Sequence, residues 1–276
     1  MNAIFVDLNF EPKTARELIN FIANRDGVLV SHPYSKKFLR SGYFIEMNTE
    51  KFFSYDNKRF YMLMHEHYKS FYDCKLRMPL ISYANFDYTK RSKTDLSNER
   101  SFTYDPLVQE DKQIGPSFYE GDEFDKGHLT RRTAIDWGDK VDEAVNAQLQ
   151  SDYYTNIVAQ YSKFNRGVWR QVENACTEVA KKHGKIIEIT GVWFANFEEP
   201  ETFDENASKT DKRPVADAFW KCCVFVSESE MTVCYFVPHS KDYPERVDIE
   251  EFRVTLKQLN AKLGYNLSKL WRFSMK

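Results

Sequence analysis

A histidine after a glycine, an asparagine ahead of an amphipathic stretch and a glutamate eight residues further on are the chemically suggestive residues of this chain. They are His128 in Asp125-Lys126-Gly127-His128-Leu129, Asn165 in Asn165-Arg166-Gly167, and Glu173. A neutral imidazole near pH 7 can take a proton from water. A neutral asparagine oxygen, with water filling the other positions, suits Mg²⁺, which keeps much of its hydration shell. A carboxylate such as Glu173 can hold the metal's water from outside. On a regular helix, residues eight apart lie about 80° apart and two turns along the axis, so Asn165 and Glu173 can face one cleft. A base, a metal ligand and a water-holding carboxylate are what a one-metal phosphodiesterase needs. Each residue also has an ordinary reading: a structural histidine, a helix-capping asparagine and a solvated glutamate.

Composition bounds the setting. The 276 residues suffice for one large domain or two small ones, and 42% hydrophobic with 29% charged is ordinary for a globular chain. A formal net charge of −2 does not advertise a nucleic-acid binder, but a local basic cleft serves where the whole chain is not basic. The five cysteines, Cys74, Cys176, Cys222, Cys223 and Cys234, are odd in number and form no CxxC, which reads as reduced and mostly buried thiols. The N-terminus has neither a basic segment nor a long apolar run, and no stretch nears the roughly 18 apolar residues of a membrane span. A cytoplasmic location, or export without a classical signal peptide, is expected.

The elements that must position these residues mix without regular alternation. Thr14-Ala15-Arg16-Glu17 is a capping-box pattern ahead of Leu18, Phe21 and Ile22. Leu80 to Phe86 reads as a central strand, residues 107–123 as a long surface loop, and Asp142 to Leu149 as a helix. A stronger helix runs from Asn165 or Gly167 to about Lys182, closed by His183-Gly184. Lys185 to Phe197 reads as a strand broken at Gly191, and Phe219–Val226 with Met231–Val237 as a hairpin. Thr255-Leu256-Lys257-Gln258 opens a last helix that Gly264 ends. The fold class is α+β, a mixed, mainly antiparallel central sheet flanked by helices. Residues 1–60 are expected to form an N-terminal extension packed on a core domain of residues 61–276.

With these residues in view, Phe124 to Leu129 resembles the Asp-Arg-Gly-His motif of the DNA/RNA non-specific endonucleases, the ββα-metal group that includes endonuclease G. Further segments recur in that family's order: Arg77-Met78-Pro79-Leu80, Arg100 to Pro106, Tyr154-Thr155-Asn156-Ile157 with Gln160, and Phe164 to Gly167 with Trp169 and Glu173. The resemblance covers roughly residues 70–265. It implies a metal-dependent endonuclease, largely indifferent to sequence, acting on DNA and RNA and leaving 5′-phosphates, with a ββα-metal active-site motif. It implies His128 as general base, Asn165 as sole protein ligand of a hydrated Mg²⁺ (Mn²⁺ as a substitute), and Glu173 as holder of the metal's water. Asn156 would support the site, and Arg100 would relieve charge on the phosphate; Asp125, from its place before His128, is expected to orient the ring or structure the turn. A protein inhibitor or immunity partner and a homodimer are further expectations.

One position departs from the family pattern. Lys126 stands where the family has arginine, keeping the charge but losing the planar fork that grips two phosphate oxygens. Of the flanking basic residues Lys90, Arg91, Lys93, Arg131, Arg132, Lys163, Arg166 and Arg170, Arg131 and Arg166 are the expected phosphate contacts. His65-Glu66-His67 reads as surface, Cys222-Cys223 as thiols on opposite strand faces, and Trp169 as core packing. Two other readings stay open: a catalytically weakened relative serving as a nucleic-acid-binding accessory module, favoured by Lys126, and a purely structural protein.

Overall fold

The computed structural model describes residues 45–46, 60–92, 94, 101–119, 124–196, 202–203, 213–226, 230–269 and 272–273. The elements that build the site are, in chain order, β1 (Phe60–Met64), β2 (Tyr68–Asp73), β3 (Met78–Asp87), β4 (Phe124–His128), α1 (Val141–Ser151), β5 (Ile157–Tyr161), α2 (Arg170–His183), β6 (Lys185–Trp193), β7 (Ala218–Val226), β8 (Glu230–Pro238), β9 (Arg253–Val254) and α3 (Leu256–Leu263). The expected N-terminal helix and nearly all of the expected 1–60 extension lie outside the described residues.

A seven-stranded sheet in the order β9-β8-β7-β6-β3-β2-β1 runs antiparallel at every described pairing. The α+β expectation with a mainly antiparallel sheet is met. Strands β3 and β6 lie at its centre and are buried along nearly their whole length, so both faces are covered. Helix α2 turns Val172, Cys176 and Ala180 inward and packs on β6 and β7, while α3 packs on β8. The Thr255 capping box forms as read: its hydroxyl accepts from the Gln258 N–H, and Gly264 closes the helix in the left-handed conformation.

Two expectations fail here for packing reasons. Strand β6 is not broken at Gly191; a β-carbon there would lie 2.3 Å from the Trp220 ring of β7, its directly opposed partner. The glycine therefore makes room for an indole across an unbroken ladder. His65-Glu66-His67, expected at the surface, is a buried turn between β1 and β2. His65 Nε2 meets Asp105 Oδ2 at 3.1 Å, and the His67 ring stacks on Trp137 at 3.6 Å.

Strands β4 and β5 form a separate hairpin, in register from Phe124↔Tyr161 to His128↔Ile157. His239, just past β8, pins it to the sheet. Its Nε2 accepts the Tyr161 N–H at 2.8 Å, so the proton sits on Nδ1 and is donated to the Ala216 carbonyl at 2.9 Å. Rings of Tyr161, Phe164 and Phe219 surround it at 4.5, 4.8 and 5.0 Å. Burial holds its pKa down at about 4. Because the unfolded chain takes up this proton near pH 6.5 and the folded one only near 4, stability falls as pH drops through that window. Urea unfolding at pH 8 and pH 5 should show this group costing about 2 kcal/mol of stability. His239→Asn, which has nothing to titrate there, should flatten that slope.

Candidate active site

The hairpin β4–β5 carries His128 at its end, and the turn that follows is held by one side chain. Asn156, fully buried, accepts the Thr130 N–H on Oδ1 and donates from Nδ2 to the Thr130 and Ser151 carbonyls, each at 2.8 Å. Every polar atom of its amide has a backbone partner, so the chain just after His128 is tied to the end of α1. Gly127 has its own reason to lack a side chain: a β-carbon there would lie 2.3 Å from the buried Gln160 amide on β5.

His128 is half-buried, and its Nε2 lies 2.8 Å from Asp152 Oδ1. The second oxygen of Asp152 takes the Arg132 guanidinium in a short ion pair, and Asp152 itself is fully buried. Burial works to raise the Asp152 pKa, but bonds from His128 and Arg132 outweigh it and hold the carboxyl below its usual range. The sequence reading missed Asp152. The Phe102 ring stands 5.6 Å from the imidazole, and Lys126 lays its ammonium over Phe102 at 5.1 Å and Tyr119 at 5.8 Å.

Asn165 follows a short turn after β5 and lies in a widened helical segment, Asn165–Trp169. Gly167 leaves helical angles (φ −104°, ψ −107°), so a kink separates Asn165 from Glu173 and the regular-helix angle between them does not apply. Asp125 orients Asn165: its Oδ2 accepts from Asn165 Nδ2 at 2.9 Å. A carboxylate can only accept, so the amide nitrogen must face it and the amide oxygen is turned elsewhere. Asp125 also accepts from Ser162 at 2.9 Å and from Arg166 at 2.8 and 2.6 Å. These bonds overcome the effect of burial and keep Asp125 ionised below the usual range. Arg166 remains largely solvent-facing, with 72% of its side chain exposed.

Glu173, half-buried on the first turn of α2, faces a network of buried charges. Burial pushes its carboxyl up, while the positive charges of Lys221 and Arg131 pull it down. Burial prevails, with the negative charge of Glu188 adding to it, and the Glu173 carboxyl is raised above its usual range. Glu188 of β6 takes Arg131 at 2.7 to 3.1 Å and Lys221 Nζ at 2.7 Å. Against its own burial, these two cations hold Glu188 at about 2. Lys221 is wholly buried, bonds Thr190 at 2.7 Å and sits 5.3 Å from the Trp169 ring. Arg131, expected to contact phosphates, is instead buried, its guanidinium spent on Glu188 and Thr177. That placement argues against a substrate contact. Arg100 and Lys93 lie outside the described residues, and Lys90 and Arg91 are paired with Asp139 and Asp136.

Two donor sets bear on a metal. Asn165 offers a neutral oxygen whose direction Asp125 sets, and a hard oxygen donor of this kind fits Mg²⁺. Cys176, Glu188 and Cys223 also cluster within 4.8 Å. That cluster does not fit, because both Glu188 oxygens already bond cations and burial raises the Cys223 thiol pKa far above its usual value.

The description DNA/RNA non-specific endonuclease belongs to the family whose model matches residues 48–272. The chain belongs to that family. A protein of Sinorhizobium fredii described as "Uncharacterized protein y4fB" is 34% identical over 109 residues, 36% of this chain but only 16% of its own length. A chain of the solved EndoG/EndoGI complex superposes with a TM-score of 0.58 over 74% of this chain and 83% of that one. At 19% identity that likeness is one of fold.

The buried network makes a stability test. Glu188→Gln should leave Arg131 and Lys221 without their shared negative partner and cost about 3–5 kcal/mol, read as a lower urea midpoint. An unchanged midpoint would mean the network contributes nothing. Gly127→Ala should also destabilise, by about 1–3 kcal/mol through overpacking against Gln160, in the same measurement.

Proposed function

We propose that the chain is a metal-dependent, largely sequence-non-specific endonuclease that hydrolyses phosphodiester bonds of DNA and RNA. The observation that carries this reading is that strand β4 carries both His128, held at Nε2 by an acid, and Asp125, which orients the Asn165 amide. In this reading His128 takes a proton from the attacking water through its other ring nitrogen. Asn165 would hold Mg²⁺ (or Mn²⁺) and Glu173 its water; the ion supplies charge relief at the scissile phosphate and the leaving 3′ oxygen. Hairpin β4–β5 and the helix after it would then serve as the ββα-metal motif, with Asn156 and Asp125 supporting the site from behind.

Lys126 and Arg166 are proposed to contact substrate phosphates, and Arg100 to join them. Contacts to phosphates and not to bases would make cutting largely indifferent to sequence. A protein inhibitor is proposed as a partner by analogy with the EndoG/EndoGI complex, and a homodimer remains part of the proposal. One observation favours a second reading, a weakened accessory module that binds nucleic acid: the Lys126 ammonium rests on two aromatic faces and lacks arginine's fork.

Purified protein should nick supercoiled plasmid in Mg²⁺ and not in EDTA, and His128→Ala should lower the rate by at least about 100-fold. Asn165→Ala should abolish the Mg²⁺ response, and Lys126→Arg should raise cutting. Metal-independent binding without cleavage by the wild type would instead establish the accessory reading.

A further inference from the structure

The pair Asp152–His128 does more than fill a cavity. Asp152 is anchored at the end of α1: its N–H donates to the Leu149 carbonyl at 3.2 Å, and its own carbonyl accepts the Thr103 N–H at 3.3 Å. Its side chain is fully buried, with Oδ1 on His128 Nε2 and Oδ2 on the Arg132 guanidinium. Among the described residues, Lys126 shares the Phe102 ring with the imidazole, and Glu173 senses the charge of His128.

We propose that Asp152 is the positioning residue of His128, that it fixes the imidazole as the Nε2–H tautomer, and that Arg132 fixes the orientation of Asp152. This rests on the hydrolytic reading of the cleft. An ionised carboxylate only accepts, so Nε2 must carry the proton and Nδ1 keeps its lone pair for the water. In the step itself, Nδ1 takes one proton from water and the oxygen's freed pair forms the new bond to phosphorus. The P–O3′ bond breaks, its pair stays on the leaving oxygen, and solvent protonates that oxygen. The positive imidazolium so formed faces the negative Asp152.

Arg132 makes the prediction specific. In Asp152→Asn, the guanidinium requires the amide oxygen on its own side, because two donors cannot face each other. The amide NH₂ then turns to His128, Nε2 must accept, and the proton moves to Nδ1, where a base is needed. The change is nearly isosteric, yet it disables the base. Adding Arg132→Ala frees the amide to rotate and should return the proton to Nε2.

The test is the long-range ¹⁵N–¹H spectrum of the neutral imidazoles in the full chain, with His128 assigned among the six histidines by its absence in His128→Ala. The wild type should show Nε2–H, Asp152→Asn should show Nδ1–H, and Asp152→Asn with Arg132→Ala should show Nε2–H again. Plasmid nicking by Asp152→Asn should fall in kcat by about 100-fold with KM changed little. A wild-type Nδ1–H tautomer would overturn the proposal, and that result needs no variant to fold. So would an Asp152→Asn chain that keeps both tautomer and kcat. A wild type that shows Nε2–H but cuts nothing would support the pairing and sink the hydrolytic reading instead.

Discussion

One buried carboxylate ties the site to the fold. Glu188 lies mid-strand in β6 with 1% of its side chain exposed, a placement that would be prohibitive for an unpaired charge. Its neutralisers come from different parts of the chain: Arg131 from the turn after His128, and Lys221 from β7. Arg131 reaches on to Thr177 of α2, and Lys221 to Thr190 and the Trp169 ring. Sheet, helix and the turn beyond the β4–β5 hairpin are thus joined through charges that none can leave behind without cost. The fold accepts that electrostatic burden within reach of Glu173.

Above this base, positioning follows one pattern: an ionised acid that only accepts dictates which way an ambiguous side chain points. Asp125 does so for the Asn165 amide, and Asp152 for the His128 imidazole. In both cases an arginine, Arg166 or Arg132, occupies the acid as well and keeps it ionised. Asn156 does the corresponding work with a neutral amide saturated by backbone groups. The proposed reactive atoms are set by hydrogen-bond polarity as much as by packing.

Much of this was legible in the residues, and what was not has a physical reason. The residues of the local motif, His128, Asn156 and Asn165, announce themselves because each sits in a short segment whose neighbours are also constrained. The strands and the Thr255 helix were readable from alternation and capping. Asp152 was not, since its meaning comes from an imidazole 24 residues earlier that the hairpin brings beside it. Lys221, between Trp220 and Cys222, looks like the outward residue of a strand and is buried only because Glu188 awaits it 33 residues away. Arg131 misled for the same reason: nearness to a motif along the chain does not say which way a guanidinium points. Gly191 was read as a break in the strand, whereas an indole on the neighbouring strand is the reason it lacks a side chain.

The measurement that tests the central claim most directly is anomalous diffraction from crystals of the chain grown with Mn²⁺. The account predicts a single strong peak in the cleft within about 2.5 Å of the Asn165 amide oxygen, on the side away from Asp125. A peak at Cys176, Glu188 and Cys223, with nothing at Asn165, would contradict it.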